Sequence, residues 1–187
     1  MKCPFYLSIF IALLLSQFLQ SQSNTELVRN KLHVVSYECK DEVVEFTFDL
    51  IGDTTNNLDG IWPKLDFYRI WVDYNSNKEL ETSYDRVFSP IRIEGDYAVC
   101  KSLALEQGRV TQCISETNAT CEKMFGTSKN SSKKHVIFRM SIPKKELSDS
   151  GTFNVYFEIF DGVGFETCYP LRSKLFDKTF EFSCTIF

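Results

Sequence analysis

Cysteine is the residue type in this sequence with the clearest chemical capacity. The 187-residue chain contains 7 cysteines, and one of them, Cys3, lies in an apolar N-terminal segment. The other six are Cys39, Cys100, Cys113, Cys121, Cys168 and Cys184. An even number of cysteines in an exported chain is typical of a disulfide framework, so we expect three disulfides. Six cysteines can pair in many ways, and the residues alone leave the connectivity open.

Residues for acid–base, nucleophilic or metal chemistry are scarce. His33 and His135 are the only histidines, and each lies at the start of a predicted strand. The sequence has no G-x-S-x-G, H-E-x-x-H or P-loop motif, and no ligand spacing typical of a metal site. Acidic pairs such as Asp41-Glu42 lie in polar stretches, which favours solvated turns over catalytic carboxylates. We therefore predict a protein that is not an enzyme and that uses no cofactor or metal.

The N-terminus has the pattern of a secretory signal peptide. Met1-Lys2 gives a positive start, residues 5–19 form an apolar run, and Ser21-Gln22-Ser23 supplies small residues for cleavage after Ser23. The run is short for a membrane span, and no later segment is apolar enough to be a transmembrane segment. We therefore predict a signal peptide at residues 1–23 and a single secreted, extracellular domain at residues 24–187.

Charge and modification motifs fit an extracellular chain. The formal net charge is −4, which gives no long-range attraction for nucleic acid or anionic membranes. Asn118-Ala-Thr and Asn130-Ser-Ser are N-glycosylation sequons. Both lie in one polar stretch, which we interpret as an exposed, glycosylated loop that runs to Lys134.

Alternation of apolar and polar side chains with a period of two dominates the rest of the chain. This alternation is typical of strands with one buried face. It predicts strands at residues 32–39, 44–50, 65–74, 136–142, 153–159 and 180–186. Residues 91–93 read as a short edge strand, and residues 101–107 have helical propensity. The pattern predicts an all-β fold, namely a two-sheet antiparallel β-sandwich of the immunoglobulin-like type with at most one or two short helices.

The late strands resemble those of a known family. Their residues are Ile142-Pro143, Gly151-Thr-Phe153, Tyr156-Phe-Glu-Ile, Asp161-Gly and Cys168. This series is similar to the C-terminal signature of MD-2-related lipid-recognition (ML) domains, a group that includes the ganglioside activator and insect chemosensory-type secreted proteins. The resemblance implies two sheets that admit the acyl chains of a lipid between them.

The resemblance also implies which side chains contact the ligand. The chain has 17 phenylalanines, and an apolar gap lined by them stays dry and accepts apolar guests. The expected cavity residues are Phe46, Phe48, Phe138, Met140, Phe153, Phe157, Phe180 and Phe182. By the same resemblance Cys39 would pair with Cys168, and Cys184 with one of the remaining cysteines; a local Cys100–Cys113 pair is the next preference. The partners would be a lipid or other hydrophobic small molecule and a cell-surface receptor.

A solid sandwich that binds a protein partner is the alternative. Residues 147–153 (LSDSGTF) also look like the corner before a late strand of immunoglobulin-like domains, where Phe153 would be the aromatic residue. Trp71 would then be the core tryptophan, although position 155 is Val rather than the usual Cys. Both interpretations keep the same fold and predict a binding protein without enzymatic activity.

Overall fold

Eleven strands and one short helix form the part of the chain that the computed structural model describes. The described residues are 24–56, 66–79, 81, 85–93, 96–103, 117–160, 166–170 and 179–184. The strands are β1 (Thr25–Arg29), β2 (Val34–Cys39), β3 (Val43–Leu50), β4 (Phe67–Asp73), β5 (Arg86–Ile93), β6 (Asp96–Leu103), β7 (Thr120–Ser128), β8 (Ser131–Pro143), β9 (Thr152–Phe160), β10 (Glu166–Tyr169) and β11 (Phe180–Ser183); the helix is α1 (Lys144–Leu147). The predicted signal peptide lies outside the described residues.

The strands form two antiparallel sheets. Sheet A has the order β1-β2-β3-β8-β7, and sheet B has the order β10-β9-β4-β5-β6. The last strand, β11, pairs with the first half of β9, and β10 pairs with the second half, so both lie on the same side of β9. A sheet with the strand order β2-β3-β8-β7 that faces a sheet with the order β10-β9-β4-β5-β6 is the arrangement of an immunoglobulin variable-type sandwich. The predicted fold class is confirmed.

Alternation along the strands places the core between the sheets. On β3, Val44, Phe46 and Phe48 are fully buried and point the same way. On β8, Met140 and Phe138 lie directly opposite Phe46 and Phe48 in the register. Aromatic and aliphatic pairs of this kind stabilise the sheet by side-chain packing as well as by the ladder of hydrogen bonds.

Two regions differ from the sequence-based prediction. The stretch interpreted as a glycosylated loop contains the nine-residue strand β7 and a tight hairpin to β8. Residues 91–93, predicted as a short edge strand, are the last residues of the eight-residue strand β5 and pair with β6, whereas the pairs of β5 with β4 involve residues 86–88. Residues 101–103 end β6 and are not helical, and residues 104–107 lie outside the described part.

The connection between β8 and β9 contains the short helix α1. The last residue of this connection, Gly151, has a φ of 79°, a backbone conformation that favours glycine. Phe153 follows as the second residue of β9, as the corner interpretation predicts. Within the described residues, no helix is long and apolar enough to span a bilayer.

Candidate functional site

The eight predicted cavity residues all lie on the inner faces of the sandwich. Phe46, Phe48, Phe138, Met140, Phe153 and Phe157 are at most 1% exposed, Phe182 is 8% exposed, and Phe180 is partly exposed. They come from β3, β8, β9 and β11 and belong to one hydrophobic cluster. The sequence pattern therefore identified a real set of neighbours.

At the centre of the sandwich these side chains pack against each other. Phe48 on sheet A meets Phe157 on sheet B edge to face, with ring centroids 5.3 Å apart and planes at 83°. Phe46 meets the same Phe157 ring at 5.7 Å. Centroid separations of this size are those of aromatic rings in direct contact. The space between β3 and β9 is filled by the protein's own side chains.

Tyr68 on β4 fills the neighbouring part of the core, and the list of expected cavity residues lacks it. Its ring lies 4.4 Å from Phe48 and 4.8 Å from Phe138, both on the opposite sheet. Its hydroxyl donates a hydrogen bond across the sandwich to the carbonyl oxygen of Arg139 at 3.1 Å. Burial raises the pKa of the Tyr68 phenol well above its usual value. The alternation of β4 places Tyr68 on the same face as Ile70 and Val72, and this was the signal that could have identified it.

One edge of the sandwich is closed by a covalent bond. Cys39, at the end of β2, forms a disulfide with Cys184, directly after β11. Beside it the rings of Tyr37 and Phe182 stack at 4.2 Å. The pairing of Cys39 with Cys168 implied by the family resemblance is therefore wrong.

The other cysteines have different environments. Cys121 is a free thiol, so its predicted disulfide is also wrong. Burial raises the pKa of this thiol to about 11. Its Sγ lies 3.5 Å from the carbonyl oxygen of Ala98. Cys168 lies on β10, where it pairs with Glu158 in the second half of β9. Cys184, the disulfide partner of Cys39, lies at the opposite end of β9. Cys100 lies on β6 opposite Ser89, and Cys113 is outside the described residues.

The opposite edge, between β6 and β7, has a different character. Val99, Cys121 and Phe125 pack against the core from these two edge strands but remain partly exposed. Lys123 occupies the inward-facing position between Cys121 and Phe125, because it lies opposite Phe138 in the register. Its ammonium lies 5.3 Å from the Phe138 ring centroid and donates to the carbonyl oxygen of Asp66 at 3.0 Å.

The outer face of sheet A carries a polar groove of about 370 Å³. Its lining includes Glu38, Glu45, Thr47, Asp49 and Arg139 from β2, β3 and β8. This is the solvent-facing side of an antiparallel sheet, where polar side chains are expected. The groove is therefore a surface for polar contacts and not an extension of the core.

A buried histidine–carboxylate pair lies beneath this groove. The Nε2 atom of His135 lies 3.3 Å from Oδ1 of Asp49, and its Nδ1 lies 2.8 Å from the carbonyl oxygen of Lys133. A histidine–aspartate pair also occurs in hydrolytic triads, where the second ring nitrogen faces the nucleophile. Here both nitrogens face protein oxygens and the ring is fully buried, so His135 has no nitrogen available to a substrate.

Trp71 does not fill the place of a core tryptophan. It lies on the outer face of sheet B, stacked on Tyr156 with centroids 5.3 Å apart, and its Nε1 donates to Glu158 at 2.7 Å. The interpretation of Trp71 as the core tryptophan of an immunoglobulin domain is therefore wrong, although the strand order is of that type.

The two sequons lie at opposite ends of β7 and not in one loop. Asn118 precedes the strand and is exposed, whereas Asn130 lies in the two-residue turn between β7 and β8 and is partly buried.

Two buried carboxylates flank the turn that follows β4. Asp73 accepts a hydrogen bond from the backbone N–H of Lys78 at 2.9 Å. Asp85 accepts from the N–H groups of Tyr74 at 3.1 Å and Glu81 at 2.6 Å. Burial raises the pKa of Asp85 to about 6 and also raises that of Asp73, against the opposing effect of these hydrogen bonds. Among the described residues, no group of three or more histidine, cysteine or acidic side chains has the geometry of a metal site.

We expect the replacement Asp85→Asn to weaken the pH dependence of stability between about pH 4 and 6. Because the folded-state pKa of Asp85 is about 6 against an ordinary value of 3.8, the folded protein binds this proton more tightly than the unfolded chain. The contribution of Asp85 is therefore greatest below pH 4 and is lost as the pH rises through 6. Urea unfolding at a series of pH values measures it, with exposed Asp41→Asn as the control. An unchanged slope in the Asp85 variant would contradict this assignment.

No known protein family, curated protein or solved structure matches this chain.

Proposed function

We propose that this chain is a secreted binding protein without enzymatic activity, and that it binds an apolar small molecule at the edge of the sandwich between β6 and β7. The disulfide between Cys39 and Cys184 supports an oxidising, extracellular environment, because such bonds persist there and are rare in the cytosol. The signal-peptide pattern of residues 1–23 supports the same location.

The difference between the two edges of the sandwich carries the proposal. The edge at β2 and β11 is closed by the disulfide and by the stacked rings of Tyr37 and Phe182. The edge at β6 and β7 presents partly exposed apolar side chains from both strands, among them Val99 and Phe125, and it has no disulfide among the described residues. Covering the exposed part of such apolar surface contributes about 25 cal/mol per Å².

The side chains of this edge favour a ligand with an apolar chain, which would cover the exposed part of Phe125. The Lys123 ammonium is held by the Phe138 ring and by the carbonyl oxygen of Asp66. The centre of the sandwich is occupied by the rings of Phe48, Tyr68 and Phe157, so this proposal places the ligand at the edge and not in the middle.

Binding of a fluorescent apolar probe to the native protein tests the proposal. We expect probe binding that a fatty acid displaces, and native mass spectrometry of the secreted protein should detect a bound small molecule. Phe125→Glu should weaken probe binding by about threefold or more, because a ligand covers only the exposed part of this partly buried ring and must also desolvate the new carboxylate.

Leu32→Glu is the matched control for this experiment. Leu32 is a large apolar side chain that is 53% exposed, and it lies just before β2, away from the strands of the open edge. Its replacement should leave probe binding unchanged. Equal loss of binding in both variants, or the absence of any probe binding by the native protein, would refute the proposal.

A solid interaction domain is the second candidate. The packed centre and the polar groove of sheet A favour it, because a filled core leaves only surfaces for binding. The groove is lined by acidic residues such as Glu38 and Glu45 beside Arg139, which suits a partner with basic and hydrogen-bonding groups. A protein without bound lipid and without probe binding would favour this function.

A further inference from the structure

We propose that Asn118 is the glycosylated asparagine of this domain and that Asn130 is a structural residue that carries no glycan. The inference relies on the proposed function only in requiring export, and it does not depend on the ligand.

Asn118 presents its side-chain amide to solvent. The residue is exposed, and its amide has no hydrogen-bond partner among the described residues. The backbone around it is held from the other side by Glu146, which accepts hydrogen bonds from the N–H of Asn118 at 3.2 Å and from the hydroxyl of Thr117 at 2.9 Å. Thr120, the hydroxyl residue of this sequon, is also exposed. The segment is thus fixed through its backbone, and the acceptor nitrogen is free.

Asn130 has the opposite arrangement. Its Nδ2 donates a hydrogen bond to Oδ2 of Asp49, and its Oδ1 accepts one from Arg29 at 2.8 Å. Its backbone N–H donates to the hydroxyl of Ser128 at 3.0 Å within the hairpin turn. Asp49 is 3% exposed, so the Asn130 amide supplies one of the hydrogen bonds that this buried carboxylate requires.

Glycan transfer would interfere with that hydrogen bond. In the reaction, the amide nitrogen attacks the anomeric carbon of a lipid-linked oligosaccharide pyrophosphate. A nitrogen–carbon bond forms, the lipid pyrophosphate leaves, and the nitrogen loses one proton to solvent. At Asn130 the sugar would be attached to the atom that bonds Asp49, next to the turn. At Asn118 the same product extends into solvent.

Four proteins test the assignment: the wild type, Asn118→Gln, Ser132→Ala and Asn130→Ala. Each is produced in a eukaryotic host with that host's own leader in place of residues 1–23, so that export is supplied. Intact mass before and after enzymatic removal of N-glycans gives the number of glycans. We expect one glycan on the wild type, none on Asn118→Gln, and one on each of the other two variants.

Thermal unfolding separates the structural role of Asn130 from its sequon. Ser132→Ala destroys the sequon but keeps the amide, so its melting temperature should equal that of the wild type. Asn130→Ala removes the hydrogen bond to Asp49, so its melting temperature should fall by roughly 3–6 °C. Two glycans on the wild type, loss of a glycan in Ser132→Ala, or retention of a glycan in Asn118→Gln would each overturn the inference.

The native leader is tested separately. If the chain with its own residues 1–23 stays inside the cell while the host-leader chain is secreted with one glycan at Asn118, the proposed export fails and the glycan assignment stands.

Discussion

The replacement Cys39→Ser is expected to lower the free energy of unfolding by about 4 kcal/mol. The bond that it removes joins residues 145 positions apart in sequence, and a cross-link that closes a loop of this length restricts the unfolded chain strongly. The bond also connects β2 of sheet A to the end of β11 of sheet B, so its loss frees the last strand of the domain. Cys184 is 5% exposed and belongs to the core cluster, which adds a packing cost to the variant Cys184→Ser.

Urea unfolding of the two single variants and of the double variant measures this effect. The double variant should be about as stable as Cys184→Ser alone, because both remove the same bond and both carry the packing cost at position 184. Cys121→Ser is the matched control, since Cys121 is a free thiol and the change should alter stability by far less. Similar losses in Cys121→Ser and Cys39→Ser would mean that the pairing in solution differs from the one described.

The pairing of the cysteines could not be predicted from the sequence. The resemblance to the ML family implied that Cys39 pairs with Cys168 on a late strand. In the fold, β10 pairs with residues 157–160 of β9 and β11 pairs with residues 152–155. This arrangement brings the segment after β11, and not β10, next to the end of β2. Connectivity depends on that tertiary arrangement, which no local pattern encodes.

The central strands were predictable because apolar side chains alternate along them. In β3 this alternation follows the burial of one face, with Glu45 and Thr47 partly exposed between buried neighbours. In β9 the apolar positions alternate in the same way, although residues 153–159 are buried on both faces of the strand. In contrast, β7 has polar residues on both faces, with Lys123 pointing inward and Gly126 near its end. An edge strand pairs on one side only, so its residues are less constrained and resemble a loop.

The residues of the inner faces were predictable as a set, but whether they enclose a cavity was not. The alternation correctly assigned Phe46, Phe138 and Phe157 to the inner faces. Whether opposite rings touch or leave a gap depends on the separation of the sheets and on side chains of a third strand, here Tyr68. The polar pair of Asp49 and His135 was also missed, because these residues are 86 positions apart and meet only through the register of β3 and β8.

The replacement Phe48→Ala is expected to cost about 3–5 kcal/mol of stability, because it removes a ring from the packed centre of the sandwich. Phe48 is fully buried and contacts Tyr68 at 4.4 Å and Phe157 at 5.3 Å. Partial relaxation of these neighbours would leave an apolar hole, and such holes stay dry and accept small apolar molecules. Urea unfolding measures the loss, and saturating benzene should restore part of it. Phe180→Ala is the control, since Phe180 is partly exposed and should cost less.

The same variant distinguishes a filled centre from a ligand cavity between β3 and β9. If a lipid occupied that space in the secreted protein, removal of the Phe48 ring would enlarge an existing cavity, and the cost would fall towards that of Phe180→Ala. Extra lipid would then be found in the variant by native mass spectrometry. A large cost together with unchanged probe binding at the β6–β7 edge supports a centre that holds the sheets together and an edge that binds. A small cost would mean that the rings of Phe48, Tyr68 and Phe157 separate to admit the ligand, and the binding site would then be the middle of the sandwich.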